Sequence, residues 1–341
     1  MSNGFDQVRL GFDAVSVGSA KIDAYLFVHD ANLHFRLNKD TNEFCVRFGE
    51  KVIVDKCAFA LGGNAANVAV GLSRLGLKTG MYAEIGDDEL SQRIINTFKK
   101  EKVVIDHIKQ SKNQETSLSV ILNFKNDRTI FSEHVYRNHD FNFDNLSTKW
   151  VYLTSIGEEW KNAYAKVADF VKQTKAKLAF NPGTLQINGG YESIKTILAL
   201  TDILFVNKEE AIEISKIKNQ PRLNRGQKSK IEDILIKLQK LGPKIVVITD
   251  GKNGSYALDE KGEMLKQDRV QCKVVEKTGA GDSYTTGFLA AILNELPIKT
   301  AMKWGSINAA SVIGQIGAQA GLLTISKLKS QISKPQFKSD Q

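Results

Sequence analysis

The chain has 341 residues, 42% hydrophobic and 25% charged, a globular composition that excludes a disordered tail, a coiled coil or a collagen-like fibre. Lys+Arg 47 against Asp+Glu 38 leaves a formal charge of +9, which favours an anionic partner over a cationic one. The basic residues fall in scattered pairs and in two polar segments, 216–230 and 327–338, without the interleaved aromatics of a strand-binding groove, so they read as solvated surface and nucleic acid is not expected.

Cys45, Cys57 and Cys272 are too far apart for a disulfide framework or a Cys-x-x-Cys metal site, and suit a reducing cytoplasm. Residues 1–18 are interrupted by Asp6, Arg9 and Asp13, unlike a signal peptide, and no run of about 18 apolar residues predicts a membrane span. His29, His34, His107, His134 and His139 include no pair at helical metal-ligand spacing.

Residues 12–18 are short, β-branched and closed by Gly18, the pattern of a buried first strand, with Asp23 following it. Residues 33–54 alternate apolar and polar (Leu33, Phe35, Leu37; Phe44, Val46, Phe48; Val52, Val54), predicting a β-sheet flap with one wet face. A helix is predicted over 64–75, stopped by Gly76, then a strand over 78–84 and a helix over 88–100. Residues 117–124 and 129–136 around Asn126-Asp127 form a hairpin that could join the flap. From Trp150 onward strands (151–154, 177–181, 203–207, 244–249) alternate with helices (160–174, 191–200, 208–215, 231–241). That alternation specifies a mainly parallel sheet covered on both faces. Helices near 282–293 and 300–316 complete the chain, and 216–230 is a surface insertion.

The chemistry concentrates in a few strings. Glu276-Lys-Thr-Gly-Ala-Gly-Asp282 puts three small residues before an acid and an apolar helix, so the amides of Gly279, Ala280 and Gly281 can converge on transient negative charge. A carboxylate there would repel phosphate; its sensible role is to deprotonate an attacking hydroxyl, although an Asp that merely caps its own helix has the same pattern. Asn207 and Glu210, three apart after a buried strand, suit a hydrated Mg²⁺ and its phosphates, or a helix cap. Leu61-Gly-Gly-Asn-Ala-Ala-Asn67 lets Gly62 and Gly63 bring backbone against a polyol while Asn67 offers donor and acceptor. Asp23 could accept two hydroxyl protons, or serve a turn. Gly71 to Thr79 imitates a phosphate-binding Walker loop but lies at a helix end. No Gly-x-Gly-x-x-Gly follows the first strand, which argues against a nicotinamide-binding domain.

In order and spacing these strings resemble the ribokinase family of sugar and nucleoside kinases, also called pfkB-type carbohydrate kinases, from Asp13 to Gly321. The resemblance rests on Gly62-Gly63-x-x-x-Asn67 with Arg74-Leu-Gly76 and Ile85-Gly-Asp87, and on Thr278-Gly-Ala-Gly-Asp282 with Gly287. It implies a three-layer α/β/α sandwich over 1–341, with a mainly parallel sheet and a small β-sheet lid formed by about 20–60 and about 115–137. It implies an ATP-dependent kinase with Asp282 as base, Gly279, Ala280 and Gly281 as anion hole, and Asn207 and Glu210 organising Mg²⁺ through water. Thr249, Gly251, Gly254 and Asn308 would contact the nucleotide, and Asp23, Gly62, Gly63 and Asn67 the acceptor. The acceptor is expected to be a ribose- or fructose-like sugar, with a nucleoside as the alternative. A non-catalytic ligand-binding member is the rival class, disfavoured by the intact Gly-Ala-Gly-Asp282. Glu276 would face a monovalent cation such as K⁺, although Glu276-Lys277 departs from the family's usual Asp and uncharged residue. Lys21 likewise stands where the family usually has Asn. A homodimer through the lid is a further expectation.

Overall fold

The computed structural model describes residues 11–28, 34–38, 40–41, 43–124, 127–133, 135–216 and 231–333. Leu33, the hairpin residue Asn126, the insertion 217–230 and the tail 334–338 lie outside the described residues.

The chain opens with β1 (Gly11–Val17), β2 (Lys21–Phe27), β3 (Phe35–Asn38), β4 (Glu43–Val46) and β5 (Lys56–Gly62). The Ala- and Val-rich α1 (Asn64–Arg74) leads to the fully buried β6 (Thr79–Ile85), and α2 (Glu89–Lys100) is capped by Asp88, which accepts from Ser91 N. Then come β7 (Ile108–Gln110), β8 (Leu118–Phe124), β9 (Asp127–Ser132) and β10 (Ser147–Thr154). The alternating half follows as α3 (Trp160–Gln173), β11 (Lys177–Asn181), α4 (Thr184–Asn188), α5 (Tyr191–Leu200), β12 (Ile203–Asn207), α6 (Lys208–Lys216), α7 (Ile231–Gln239) and β13 (Ile245–Thr249). The chain continues through β14 (Ser255–Leu258), β15 (Met264–Gln267), α8 (Ala280–Leu293), α9 (Ile298–Ile313) and α10 (Ile325–Ile332).

Nine strands form one sheet in the order β15-β14-β13-β12-β11-β10-β1-β6-β7, parallel from β7 through β13 and antiparallel at β14 and β15. Its inner strands are buried on both faces. Val15, Leu153, Leu178, Leu204 and Ile248 pack against helices α3, α5, α6 and α7. Ala14, Tyr152, Ala179, Phe205 and Val247 pack against α1, α8, α9 and α10. Phe288 of α8 meets Phe205 edge-on at 5.2 Å and is fully buried, worth about 2–3 kcal/mol of apolar transfer. Successive crossovers leave β1 in both directions, to β6 and to β10, so the crevice outside their carboxyl ends is where an open α/β sheet binds ligands.

The lid is a second sheet in the order β5-β2-β8-β9. The alternation over 33–54 contributes less to it than expected: among the described residues β3 and β4 pair only with each other, and residues 51–54 are in no strand. Phe35 stacks on Phe44 at 5.1 Å, and both lean on Phe124 at 5.9 and 5.3 Å, which fastens this hairpin to the end of β8. The strands that build the lid, β2 and β5, escape the pattern because β2 carries Lys21 and Asp23 on a buried face. Direct pairing places Asp23 beside Ala60 and Ser119, and Ser119 beside Ser132, so these side chains share one face. The opposite face packs Ile22 and Leu61 against Ala65, Ala69 and Ile94, anchoring the lid to α1 and α2.

Candidate active site

Helix α8 begins beneath the lid. Gly279 is its N-terminal cap at φ 77°, a left-handed backbone that a side chain rarely adopts, and a Cβ there would lie 2.5 Å from the Ala318 side chain. Ala280 N donates to Lys277 O at 3.3 Å, closing the turn, and Ser283 N donates to Gly279 O. Among the described residues no side chain caps the helix, so the amides of Gly281 and Asp282 in its first turn are left for a ligand. Gly281 faces open space, where a side chain would fill the site.

Asp282 occupies the first turn and is 8% exposed. Its Oδ2 accepts from Asn67 Nδ2 at 2.7 Å, and Asn67 Oδ1 in turn accepts from Gln319 Nε2 at 2.9 Å. Burial pushes the Asp282 carboxyl up to about 7, against the pull of Asn67 and with help from the Asp23 and Glu210 charges. A carboxylate that titrates there is matched to removing a hydroxyl proton at neutral pH.

Two cavities meet at this helix start. One, of about 410 Å³, is lined by Thr249, Gly251, Gly254, Val270, Val274, Tyr284, Ala309 and Ile313 among others. The second, of about 270 Å³, is lined by Asn64, Arg128, Asn181, Asn207, Glu210 and the Gly279–Asp282 turn. Thr249, Lys277, Ala280 and Gly281 line both. A slot with apolar walls lies on one side and a polar chamber with a buried carboxyl, Asp282, on the other, with the start of α8 between them.

Asn207 and Glu210 form a reciprocal cap: Glu210 N donates to Asn207 Oδ1 at 2.8 Å and Asn207 N to Glu210 Oε2 at 2.9 Å. The helix-cap reading therefore holds, yet both residues still line the polar chamber, and burial raises the Glu210 pKa. Among the described residues no three His, Cys, Asp or Glu side chains cluster as a protein-built metal cage. A carboxylate and an amide beside this polar chamber fit a Mg²⁺ that keeps its waters.

Asp23 is 5% exposed on the inward face of the lid, and burial lifts its carboxyl to about 6, opposed by Lys21 and Tyr25. Gly62 is required beside it: a Cβ there would stand 2.2 Å from Asp23 Oδ2.

The pfkB family carbohydrate kinase model matches residues 13–325. This chain belongs to that family. The kinase is 27% identical over 358 residues to the 5-dehydro-2-deoxygluconokinase of Clostridium perfringens, covering 97% of this chain and 95% of the relative. It is 28% identical over 282 residues to the nucleoside kinase of Methanocaldococcus jannaschii, covering 80% and 85%. Its fold matches the crystal structure of Thermotoga maritima ribokinase with a TM-score of 0.75 at 20% identity, covering 95% of this chain and 100% of that one. The kinase is accordingly a phosphotransferase acting on a hydroxyl acceptor.

Two residues expected at the site are engaged within the protein itself. Asn308 does not line the 410 Å³ cavity: fully buried behind its wall, it donates to Ser283 O at 2.8 Å and accepts from Leu323 N at 3.0 Å, tying α8 to the chain after α9. Its neighbours Ser306, Ala309 and Ala310 line the cavity instead. Asn67, expected on the acceptor, is 3% exposed and donates to Asp282 Oδ2.

Glu276 is also differently engaged. Its Oε1 accepts from Thr278 N at 2.7 Å and lies 3.6 Å from Arg128 Nε, so a guanidinium already stands on that side. Its Oε2 and Thr278 Oγ1 are buried with no hydrogen-bond partner among the described residues, which leaves Oε2 as the atom that suits a small cation. Sequence reading did not offer Gln319, Arg128 or Tyr284 for this crevice, and noted Lys277 only as a departure from the family's pattern.

Proposed function

We propose that this kinase transfers the γ-phosphate of ATP to a hydroxyl of a small sugar or sugar acid. The observation that carries the reading is Asp282, buried at an uncapped helix start where a nucleotide-sized cavity joins a polar chamber. ATP lies along Thr249, Gly251 and Gly254 with its base against the apolar wall of Val270, Tyr284 and Ile313. Its γ-phosphate meets the amides of Gly279, Ala280 and Gly281. Asp23 and the backbone at Gly62 and Gly63 hold the acceptor hydroxyls, and Asp282, oriented by Asn67, takes the proton as the hydroxyl attacks. Mg²⁺ supplies charge neutralisation to the phosphates when bound, with Glu210 and Asn207 holding its waters. Glu276 Oε2 is offered to K⁺, to be tested by exchanging K⁺ for a bulky organic cation. Residues 1–341 act as one kinase domain with its inserted lid, in a cytoplasmic setting that suits the three free thiols.

Two observations favour a sugar over a nucleoside. Phe35 and Phe44, the aromatics that could have sandwiched a base, are consumed by stacking on each other and on Phe124, and Phe48 projects fully into solvent. Lys21, half-buried and on the same strand face as Asp23, donates to Ser132 Oγ at 2.8 Å and adds a cation that suits a carboxylate-bearing acceptor. The similarity to 5-dehydro-2-deoxygluconokinase makes that sugar acid the first compound to try. The screen is ATP consumption with 5-dehydro-2-deoxygluconate, ribose, fructose, adenosine, cytidine and inosine. A nucleoside preferred by more than about 10²-fold in kcat/KM would overturn the sugar reading and leave the kinase. On the other lid face Phe59 and Phe131 are 53% and 58% exposed and suit a second copy of the chain, which light scattering would register as a dimer.

A further inference from the structure

We infer that Gln319 is a positioning residue for the base: it sets which end of the Asn67 amide faces Asp282, and so holds that carboxyl in its proton-accepting form. This rests on the kinase reading above. Gln319 Nε2 donates to Asn67 Oδ1 at 2.9 Å, and Asn67 Nδ2 donates to Asp282 Oδ2 at 2.7 Å. The three residues are 8%, 3% and 8% exposed, so water has little access to replace either bond. A fastened loop brings Gln319 there. Arg74, gripped by both oxygens of Glu101 at 2.8 Å, donates to Gln319 O at 2.6 Å and to Leu322 O at 3.3 Å. Ser311 Oγ donates to Gly321 O at 2.7 Å, and Ala318 packs where a Cβ on Gly279 would stand.

A primary amide is nearly symmetric in shape, but one end only donates and the other only accepts. An ionised carboxylate only accepts. Both bonds can therefore form around an ionised Asp282 in one polarity alone, with Gln319 donating to Asn67 and Asn67 donating to Asp282. In the reverse polarity Asn67 Oδ1 faces the carboxyl, and a bond forms there only if Asp282 keeps its proton. By occupying Oδ1, Gln319 leaves Nδ2 for the base. The ionisable groups facing Asp282 are Asp23 of β2, Glu210 of α6 and Tyr152 of β10, with Arg128 of β9 and Lys277 lining the same chamber. Gln319 adds no charge to that set and acts on Asp282 through Asn67. Burial and the Asp23 and Glu210 charges push the carboxyl up, and the Asn67 bond is the pull against them that Gln319 protects.

The test compares the full chain with Gln319→Glu and Gln319→Met, each also in an Asn67→Leu background, by the pH dependence of kcat/KM and of Tm. In Gln319→Glu the new carboxylate can only accept, so Asn67 Nδ2 turns to it and Oδ1 to Asp282. The pH midpoint of kcat/KM should rise by at least about one pH unit, so that activity lost at about pH 6.5 returns by about pH 9. The added charge acts in either background, so the rise should shrink to less than about half once Asn67→Leu removes the amide. Gln319→Met removes the donor without reversing the chain. Its kcat should fall about tenfold with ATP KM within about threefold of the wild type, and its midpoint should stay within about half a pH unit. A rise of the same size with and without the Asn67 amide would overturn the proposal. So would matching losses of kcat and Tm in both Gln319 variants with no change of pH profile, the result expected of a loop that only packs. Tm against pH needs no acceptor: its fall between about pH 5 and 8 should move up in Gln319→Glu by the same interval as kcat/KM. A wild type that transfers phosphate to no acceptor of the screen would therefore fail the kinase reading, while the melts still decide the polarity of the amide.

Discussion

Replacing Asp282 by Asn separates proton transfer from shape and tests the site twice. The amide oxygen in Asp282→Asn can still accept from Asn67 across the 2.7 Å now spanned by the carboxylate, but it cannot take a proton. Turnover should fall by at least about 10²-fold while nucleotide affinity changes little. Stability should move the other way. The carboxyl titrates near 7 in the fold against an ordinary aspartate value of 3.8, a gap of about three pH units. At ~1.4 kcal/mol per pH unit the ionised fold carries a burden of about 4 kcal/mol. Because the folded pKa is the higher one, the favourable contribution is complete below about pH 4 and is lost as pH rises through about 7. Between pH 5 and pH 8 the wild type should therefore lose about 2–3 kcal/mol that the neutral variant keeps, or about 4 °C in Tm for a chain of this size. Thermal melts at the two pH values beside a coupled ATP assay give both readings. A Tm difference that does not change with pH, or near-native turnover, would refute the assignment of Asp282 as a desolvated base.

Other consequences can be measured directly. The kcat/KM of the wild type should climb with pH and level off above about 7, since Asp282 must be ionised to accept a proton; a flat profile from about pH 5.5 to 8 contradicts this. Glu210→Gln removes a carboxylate from the metal's water shell and should shift the Mg²⁺ titration to higher concentration by about tenfold, an effect absent if Glu210 serves only as a cap. Gly62→Ala drives a methyl into the Asp23 carboxylate, 2.2 Å away, and should raise acceptor KM at least about tenfold with ATP KM unchanged, as initial-rate kinetics would reveal. Amide exchange in β2, β5 and β8 should slow when acceptor is added, and indifference there would mean that the sheet is not a lid.

Much of the frame was legible because local physics repeats. Strands β11 and β12 and helix α5 fall on the expected residues, since apolar runs bounded by polar turns leave one assignment open. The Gly-Ala-Gly-Asp282 turn was equally readable, because only small residues permit its backbone. Legibility stopped where a side chain's partner is distant in sequence. Asp23 could be read as an acceptor contact or as a turn residue, since polar groups in a strand are expected to face water, yet its strand is central to the lid and carries it on a buried face. The antiparallel strands β14 and β15 had no periodic signal, being only four residues each, β14 mostly buried and β15 half-exposed.

Asn67 and Asn308 show the same division at the level of single side chains. Residue type offered Asn67 a ligand-binding role and the family resemblance offered one to Asn308, but their hydrogen bonds reach Asp282, 215 residues away, and Leu323, beyond the end of α9. The proton affinity of Asp282 is decided the same way. An acidic side chain is written in the sequence, but its rise to about 7 comes from the water excluded when α8, α1 and the lid close around it, and no stretch of chain carries that property alone.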